Sequence, residues 1–306
     1  MNPSEPRIAV PAQALTGEPA GRPDDRPAMP AATTRLLSIG SVEMLEIGDG
    51  PHLVVLLHAA AQSLRAMTPL ARRLARPDRR VLVPHLALDR APDRAPDRAA
   101  GEGPIAAYAD IALACLAEVP AERRLLFGHS MGALAALVAA ARGARRDCLV
   151  LYEPIVTAQL DQGDPGDLAL RQWDARIVER MEAELAAGDP EAAVARFIEA
   201  WNEVRWDTLP VPARERLAAD AAGLARLVRA TTDFDAGPDL VGAVAGPAFV
   251  LQGTESPAIT QRMSERLAAA LAGARLRMLP GCGHMGPVLQ SGGVATALEA
   301  ILGSPD

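Results

Sequence analysis

From residue 36 onward the chain alternates short apolar runs with segments of helical periodicity. Leu36–Ile39 and Val42–Ile47 are apolar or alternating stretches split by Gly40-Ser41, and Leu53–Leu57 is a continuous apolar run. This pattern predicts two outer strands and one buried strand. A helical pattern over Leu64–Ala75, stopped by Pro77, leads to a strand at Val81–Val83, and a helix over Ile105–Ala117 leads to a strand at Leu125–Phe127. Further strands are expected at Cys148–Tyr152, Ala248–Leu251 and Ala274–Met278. A helix over Ile259–Leu271 joins the last two, and one over Val294–Leu302 closes the chain. Strands regularly separated by helices predict a parallel sheet covered on both faces. Between Tyr152 and Ala248 the alternation stops. Only helical patterns occur there, over Leu168–Ala187, Pro190–Trp201, Val211–Ala218 and Ala221–Thr231, which predicts an inserted helical cap at the carboxyl edge of the sheet, where ligands bind in such folds.

Composition supports one large folded domain carrying an insertion: 306 residues, 49% hydrophobic and 23% charged. A net charge of −7 and an aromatic content of 3% speak against a nucleic-acid surface. Cys115, Cys148 and Cys282 are odd in number and far apart, so they suggest neither a disulfide framework nor a zinc cluster, and a reducing cytoplasm is expected. No apolar stretch reaches the ~20 residues that would cross a bilayer. The first 34 residues contain seven prolines and four acidic residues without a continuous apolar region, and are expected to form a disordered tail. The segment Asp89–Ala100 is a tandem DRAP repeat expected to be a solvated surface loop. Trp173, Phe197, Trp201 and Trp206 concentrate in the helical insertion, where aromatic side chains serve the core or line a pocket. A small-molecule substrate is the expected partner; the sequence carries no strong signal for an oligomer interface. The alanine and arginine bias is compatible with a bacterial protein.

The chemistry centres on residues 121–137. An apolar strand runs into Gly128-His129-Ser130-Met131-Gly132 and then into a helix of small residues. A serine squeezed between strand and helix takes up a strained backbone, and glycines two positions away on each side supply clearance. The helix start directs its free N–H groups and positive dipole end at an oxyanion forming beside Ser130. A serine nucleophile needs a base. Of five histidines, His284, in Gly281-Cys282-Gly283-His284 after the last strand, sits on a loop able to reach the sheet edge. The turn following Leu57 reads His58-Ala59-Ala60-Ala61-Gln62, so the backbone N–H of Ala60, together with that of Met131, is the expected oxyanion hole.

With these motifs, residues 36–302 resemble the α/β-hydrolase family. The resemblance implies a mostly parallel eight-stranded sheet flanked by helices, a core formed by residues 35–154 and 238–306, and a cap over 155–237. Ala59 stands where the family usually has the glycine of its His-Gly turn, leaving Ala59 and Ala60 both open as donors. The family places its acid after either of two strands. At the usual Gly-x-x-Asp position, Gly253-Thr254-Glu255-Ser256 puts a serine, with Glu255 one residue early. At the other, used by haloalkane dehalogenases among others, Glu153 ends the sixth strand before Pro154. The choice falls on Glu153, with Glu255 as the alternative. The resemblance implies a serine hydrolase that cleaves an ester, thioester or lactone through an acyl-serine and needs no metal or organic cofactor. Acyl transfer, lyase or cofactor-free peroxidase chemistry, and noncatalytic ligand binding, are the competing readings.

Overall fold

The computed structural model describes residues 31–86, 103–201 and 204–303. Most of the expected tail and the whole DRAP repeat lie outside these residues. Eight strands form one sheet: β1 (Ala32–Leu37), β2 (Gly40–Ile47), β3 (His52–Leu57), β4 (Arg79–Pro84), β5 (Arg123–His129), β6 (Cys148–Tyr152), β7 (Ala248–Gly253) and β8 (Arg275–Leu279). Their spatial order is β1-β2-β4-β3-β5-β6-β7-β8. β2 runs antiparallel to both its neighbours, and every other pairing is parallel.

The first strand corrects one boundary. Ala32–Thr34, expected in the tail, belong to β1, where Ala32 pairs with Leu45 and Leu37 with Gly40 across a two-residue hairpin. Gly40 sits at φ 114°, a conformation that opens the tight turn at little cost to glycine.

The helices are α1 (Thr68–Leu74), α2 (Pro104–Glu118), α3 (Met131–Ala141), α4 (Pro165–Ala186), α5 (Pro190–Trp201), α6 (Val211–Ala219), α7 (Ala221–Thr232), α8 (Pro238–Gly242), α9 (Ala258–Ala270), α10 (Gly286–Leu289) and α11 (Ser291–Leu302). The pattern expected over Leu64–Ala75 divides into a 3-10 turn, Leu64–Met67, and α1. Along β3, Leu53, Val55 and Leu57 join one apolar cluster and Val54 and Leu56 the other. Burial on both faces is what a helix-covered parallel sheet imposes on its central strand. α2 and α3 contribute to the first cluster, α1 and α11 to the second. In α3 ten residues from Met131 to Ala140 are buried, and alanines and a glycine let this helix lie close to the sheet. Between β6 and β7 the described chain is helical, with α4 to α8 and two short 3-10 turns. No helix of the described residues is long and apolar enough to cross a membrane.

Candidate active site

β5 delivers Ser130 to the carboxyl edge of the sheet. Its backbone stands at φ 57° and ψ −120°, and its N–H donates to the Tyr152 carbonyl at 2.9 Å. The turn leaves no room for larger neighbours. A Cβ on Gly132 would lie 2.5 Å from the His58 oxygen and 2.6 Å from the Leu57 oxygen, and one on Gly128 would collide with the backbone of Gly132 and Ala133. Glycine at both positions is therefore a steric requirement of the turn.

Three non-glycine residues among those described have positive φ: Ser130, Glu153 at 44° and Ala61 at 58°. Of the three, Ser130 lines the cleft itself, Glu153 is hydrogen-bonded behind it to His284, and Ala61 follows the lining residue Ala60. Each such residue costs on the order of 1–3 kcal/mol, which surrounding contacts must offset. At Glu153 the N–H donates to the Leu251 carbonyl at 3.0 Å, so pairing with β7 continues while the side chain turns toward the sheet edge.

The structure brings Ser130, His284 and Glu153 into one chain of hydrogen bonds. His284 Nδ1 lies 2.8 Å from Glu153 Oε2, and His284 Nε2 lies 3.2 Å from Ser130 Oγ. Glu153 is fully buried, and its other oxygen accepts the Gly253 N–H at 2.7 Å and the Ser256 hydroxyl. With Oε1 occupied by two donors, Oε2 is free to accept from Nδ1–H, which leaves Nε2 unprotonated and facing the serine. Ser256, the residue at the family's usual acid position, thus hydrogen-bonds to a carboxylate supplied by another strand. Glu255 is not brought to His284. It is exposed, its N–H donates to the Cys282 carbonyl at 2.9 Å and its carboxylate accepts the Thr254 hydroxyl at 3.1 Å.

Two more buried side chains hold the histidine loop. Tyr152 donates its hydroxyl to the Gly283 carbonyl at 2.7 Å, and the His129 Nε2–H donates to the His284 carbonyl at 2.8 Å. A Cβ on Gly286 would collide with the Tyr152 hydroxyl, so the loop can close over this tyrosine only with glycine there. His129 is completely buried, and burial, reinforced by the neighbouring His284, holds its pKa well below the ordinary 6.5. It is a neutral strut.

Across the cleft, the turn after β3 is fixed by His58 and Gln62. His58 Nδ1–H donates to the Ala59 carbonyl at 2.9 Å, and its Nε2 accepts the Leu86 N–H at 3.0 Å. The Ala59 N–H donates to Gln62 Oε1 at 3.3 Å. Neither the Ala60 nor the Met131 N–H has an acceptor among the described residues. These are the two N–H groups expected to form the oxyanion hole, and both residues line the cleft with Ser130 and His284.

Burial lowers the His58 pKa from 6.5 to about 4, with the Ala59 carbonyl opposing the shift and His85 adding to it. As pH falls through 6.5 the unfolded chain takes up a proton that the folded chain refuses, so stability is lost between pH 6.5 and 4. For His58 alone the full loss is on the order of 3 kcal/mol, and His129 acts in the same direction. Thermal unfolding should therefore occur at a lower temperature at pH 5 than at pH 7. The difference should shrink in His58→Gln, which cannot take up the proton.

The rest of the cleft comes from the helical segment between β6 and β7. Asp174 of α4, Phe197 and Trp201 of α5, and Val228, Thr231 and Thr232 of α7 line it with Ile155. The space measures about 420 Å³ including its mouth. Trp201 lies 5.8 Å from the His284 ring and 5.4 Å from Trp173, ring centre to ring centre. Trp206 instead anchors within the helices, its indole N–H donating to Glu191 at 2.8 Å.

Sequence reasoning does not single out His58, Gln62 or Asp174. For Asp174 a signal exists. It stands at i with Ile177, Val178 and Met181 at i+3, i+4 and i+7, which makes it, with Asp167 seven residues earlier, an acid on the buried stripe of α4.

The sequence matches the model of the alpha/beta hydrolase family over residues 54–297. Among solved structures it is similar to a hydrolase from Pseudomonas aeruginosa PA01, with 23% identity, coverage of 89% of this chain and 98% of that one, and a TM-score of 0.66. An esterase from Exiguobacterium antarcticum gives 17%, 90%, 100% and 0.68, and a bromoperoxidase from Bacillus anthracis 15%, 89%, 100% and 0.65, in the same order. At these identities the likeness is one of fold. No curated protein matches the sequence significantly. The family match takes in well over half of the chain and spans the sheet from β3 to β8, with Ser130 at the end of β5, so this chain belongs to the alpha/beta hydrolase family.

Proposed function

We propose that this protein is a serine hydrolase that cleaves a carboxylic ester of a small, partly apolar substrate through an acyl-serine intermediate. The observation that carries this reading is the unbroken relay from Glu153 through His284 to Ser130, opening into a largely apolar cleft. In the first half-reaction His284 Nε2 takes the Ser130 proton as Oγ attacks the ester carbonyl. The carbonyl oxygen becomes an oxyanion that accepts the N–H groups of Ala60 and Met131, aided by the positive end of α3. The bond to the alcohol breaks, and the alcohol leaves with the proton held on His284. In the second half a water gives its proton to His284, adds to the acyl carbon and releases the acid, and Ser130 recovers its proton. Glu153 keeps its hydrogen bond to Nδ1–H throughout and stabilises the imidazolium.

The helices between β6 and β7 act in this reading as a cap, since α4, α5 and α7 supply half of the residues that line the cleft with Ser130. Three free cysteines accord with a cytoplasmic setting. Acyl transfer would use the same acyl-serine with another acceptor in place of water, and cofactor-free peroxidase chemistry would use it with hydrogen peroxide as the acceptor, whereas lyase chemistry would not form it.

The test is labelling with a fluorescent fluorophosphonate together with turnover of 4-nitrophenyl butanoate. The expected result is one label per chain and a burst of nitrophenol followed by steady hydrolysis. A folded protein that neither labels nor turns over the ester would sink the hydrolase reading.

A further inference from the structure

The cleft contains two buried polar atoms that the fold leaves without partners: Oδ1 of Asp174 and the indole Nε1 of Trp201. Both residues line the cleft beside Ser130 and His284. Asp174 is fully buried on the apolar stripe of α4. Its Oδ2 accepts the Thr157 hydroxyl at 3.1 Å, while Thr232 lies near without closing a hydrogen bond to Oδ1. Burial raises the Asp174 pKa above its ordinary value, Asp233 adds to the rise, and Thr232, Thr157 and Arg171 reduce it.

A carboxyl kept for stability would be paired. Arg171 is the cation nearest in effect, yet its guanidinium donates to the Thr157 and Leu160 carbonyls at 2.6 and 3.3 Å. An unpaired buried acceptor is among the costlier features a fold can retain, and so is an unpaired buried N–H. Two of them in the wall of one reactive cleft are explained if the substrate completes them. Of the two threonines in the cap wall, Thr232 lies beside Asp174, and Thr231 does not share this state, because its hydroxyl donates to the Leu227 carbonyl at 2.8 Å.

Resting on the serine-hydrolase reading, we propose that Asp174 and Trp201 form a polar subsite that selects hydroxy-substituted carboxylic esters. The substrate hydroxyl donates to Asp174 Oδ1, and an oxygen of the same substrate accepts the Trp201 indole N–H. An ammonium group would satisfy the carboxyl alone and leave the indole N–H unpaired. An alkyl chain would leave both unpaired, and a site built around unpaired polar groups discriminates against the analogue that cannot reach them. Ile155, Phe197 and Val228 supply the apolar surface for the remaining carbons.

The experiment compares 4-nitrophenyl esters of butanoic acid hydroxylated at C2 or C3, and of hexanoic acid hydroxylated at C6. Each is assayed beside its methyl isostere and its amino analogue. For at least one hydroxyl position, kcat/KM should exceed that of the methyl isostere by about 10- to 100-fold. That ratio should fall to near one in Asp174→Leu and drop severalfold in Trp201→Phe, whatever the absolute rates. Fluorophosphonate labelling of both variants establishes that they are folded with a reactive serine, and Asp174→Asn serves if Asp174→Leu does not fold. Hydrolysis without a hydroxyl preference, or with a stronger preference for the amino analogue, overturns the subsite while the hydrolase reading stands. Absence of labelling and turnover removes the hydrolase reading instead. Calorimetric titration of Ser130→Ala with the same esters then decides the subsite separately, through tighter binding of the hydroxy ester or its absence.

Discussion

Ser130→Ala is expected to lower kcat/KM on a short-chain nitrophenyl ester by about 10⁵- to 10⁶-fold while leaving the fold intact. The loss is large because Oγ would make the covalent bond and donates its proton to His284 Nε2, 3.2 Å away, so removing it takes away both the nucleophile and the proton transfer. Stability should change little. The Ser130 side chain does not cap α3, and alanine inherits the same positive-φ backbone without adding volume. The unfolding temperature should stay within about 2–4 °C of the parent. His284→Ala should cost a similar factor. Because serine and base act as a unit, the double variant should be scarcely slower than either single one. Rates measured by nitrophenol release, with melts on the same preparations, check all three. Independent, multiplying losses would mean that Ser130 and His284 do not share a step.

How much of this was legible in the chain depends on whether the deciding constraint is local. The turn around Ser130 is local: two glycines and a strand-to-helix change specify it, and steric crowding at Gly128 and Gly132 is the cause. The apolar runs of β3, β5, β6 and β7 are legible because strands buried on both faces leave little room for polar residues. β1 is different. Ala32, Thr33 and Thr34 carry no apolar periodicity, and pairing with β2, a tertiary contact, makes them a strand. The acid is also non-local. Counting from Gly253 leaves a serine at the usual position and a glutamate one residue early, and only the bonds of that loop show its direction. Glu255 hands its N–H to Cys282 and stays exposed, whereas Ser256 turns inward to Glu153. Asp174 was readable as an acid on a buried stripe, but its nearness to the cleft depends on how α4 lies over the sheet.

Glu153→Gln should reduce kcat roughly 10⁴-fold, and Glu255→Gln should leave it within a factor of about two. The substitution keeps the shape of the side chain, which makes it a test of hydrogen-bond polarity. In Glu153→Gln the amide oxygen would remain toward the Gly253 N–H and the Ser256 hydroxyl, since both are donors. The amide NH₂ would then face His284 Nδ1, where the carboxylate oxygen now stands at 2.8 Å. Nδ1 must accept, so the imidazole carries its proton on Nε2, and Nε2–H cannot take the proton of Ser130. The carboxylate that stabilises the imidazolium is lost as well. Glu255 has no such link to the base; its exposed carboxylate meets the Thr254 hydroxyl, and replacing it changes a surface contact. Fluorophosphonate labelling should slow in parallel with kcat in Glu153→Gln and remain unchanged in Glu255→Gln. A collapse in Glu255→Gln with Glu153→Gln spared would transfer the acid to the β7 loop and require that loop to rearrange by one residue before His284 could use it.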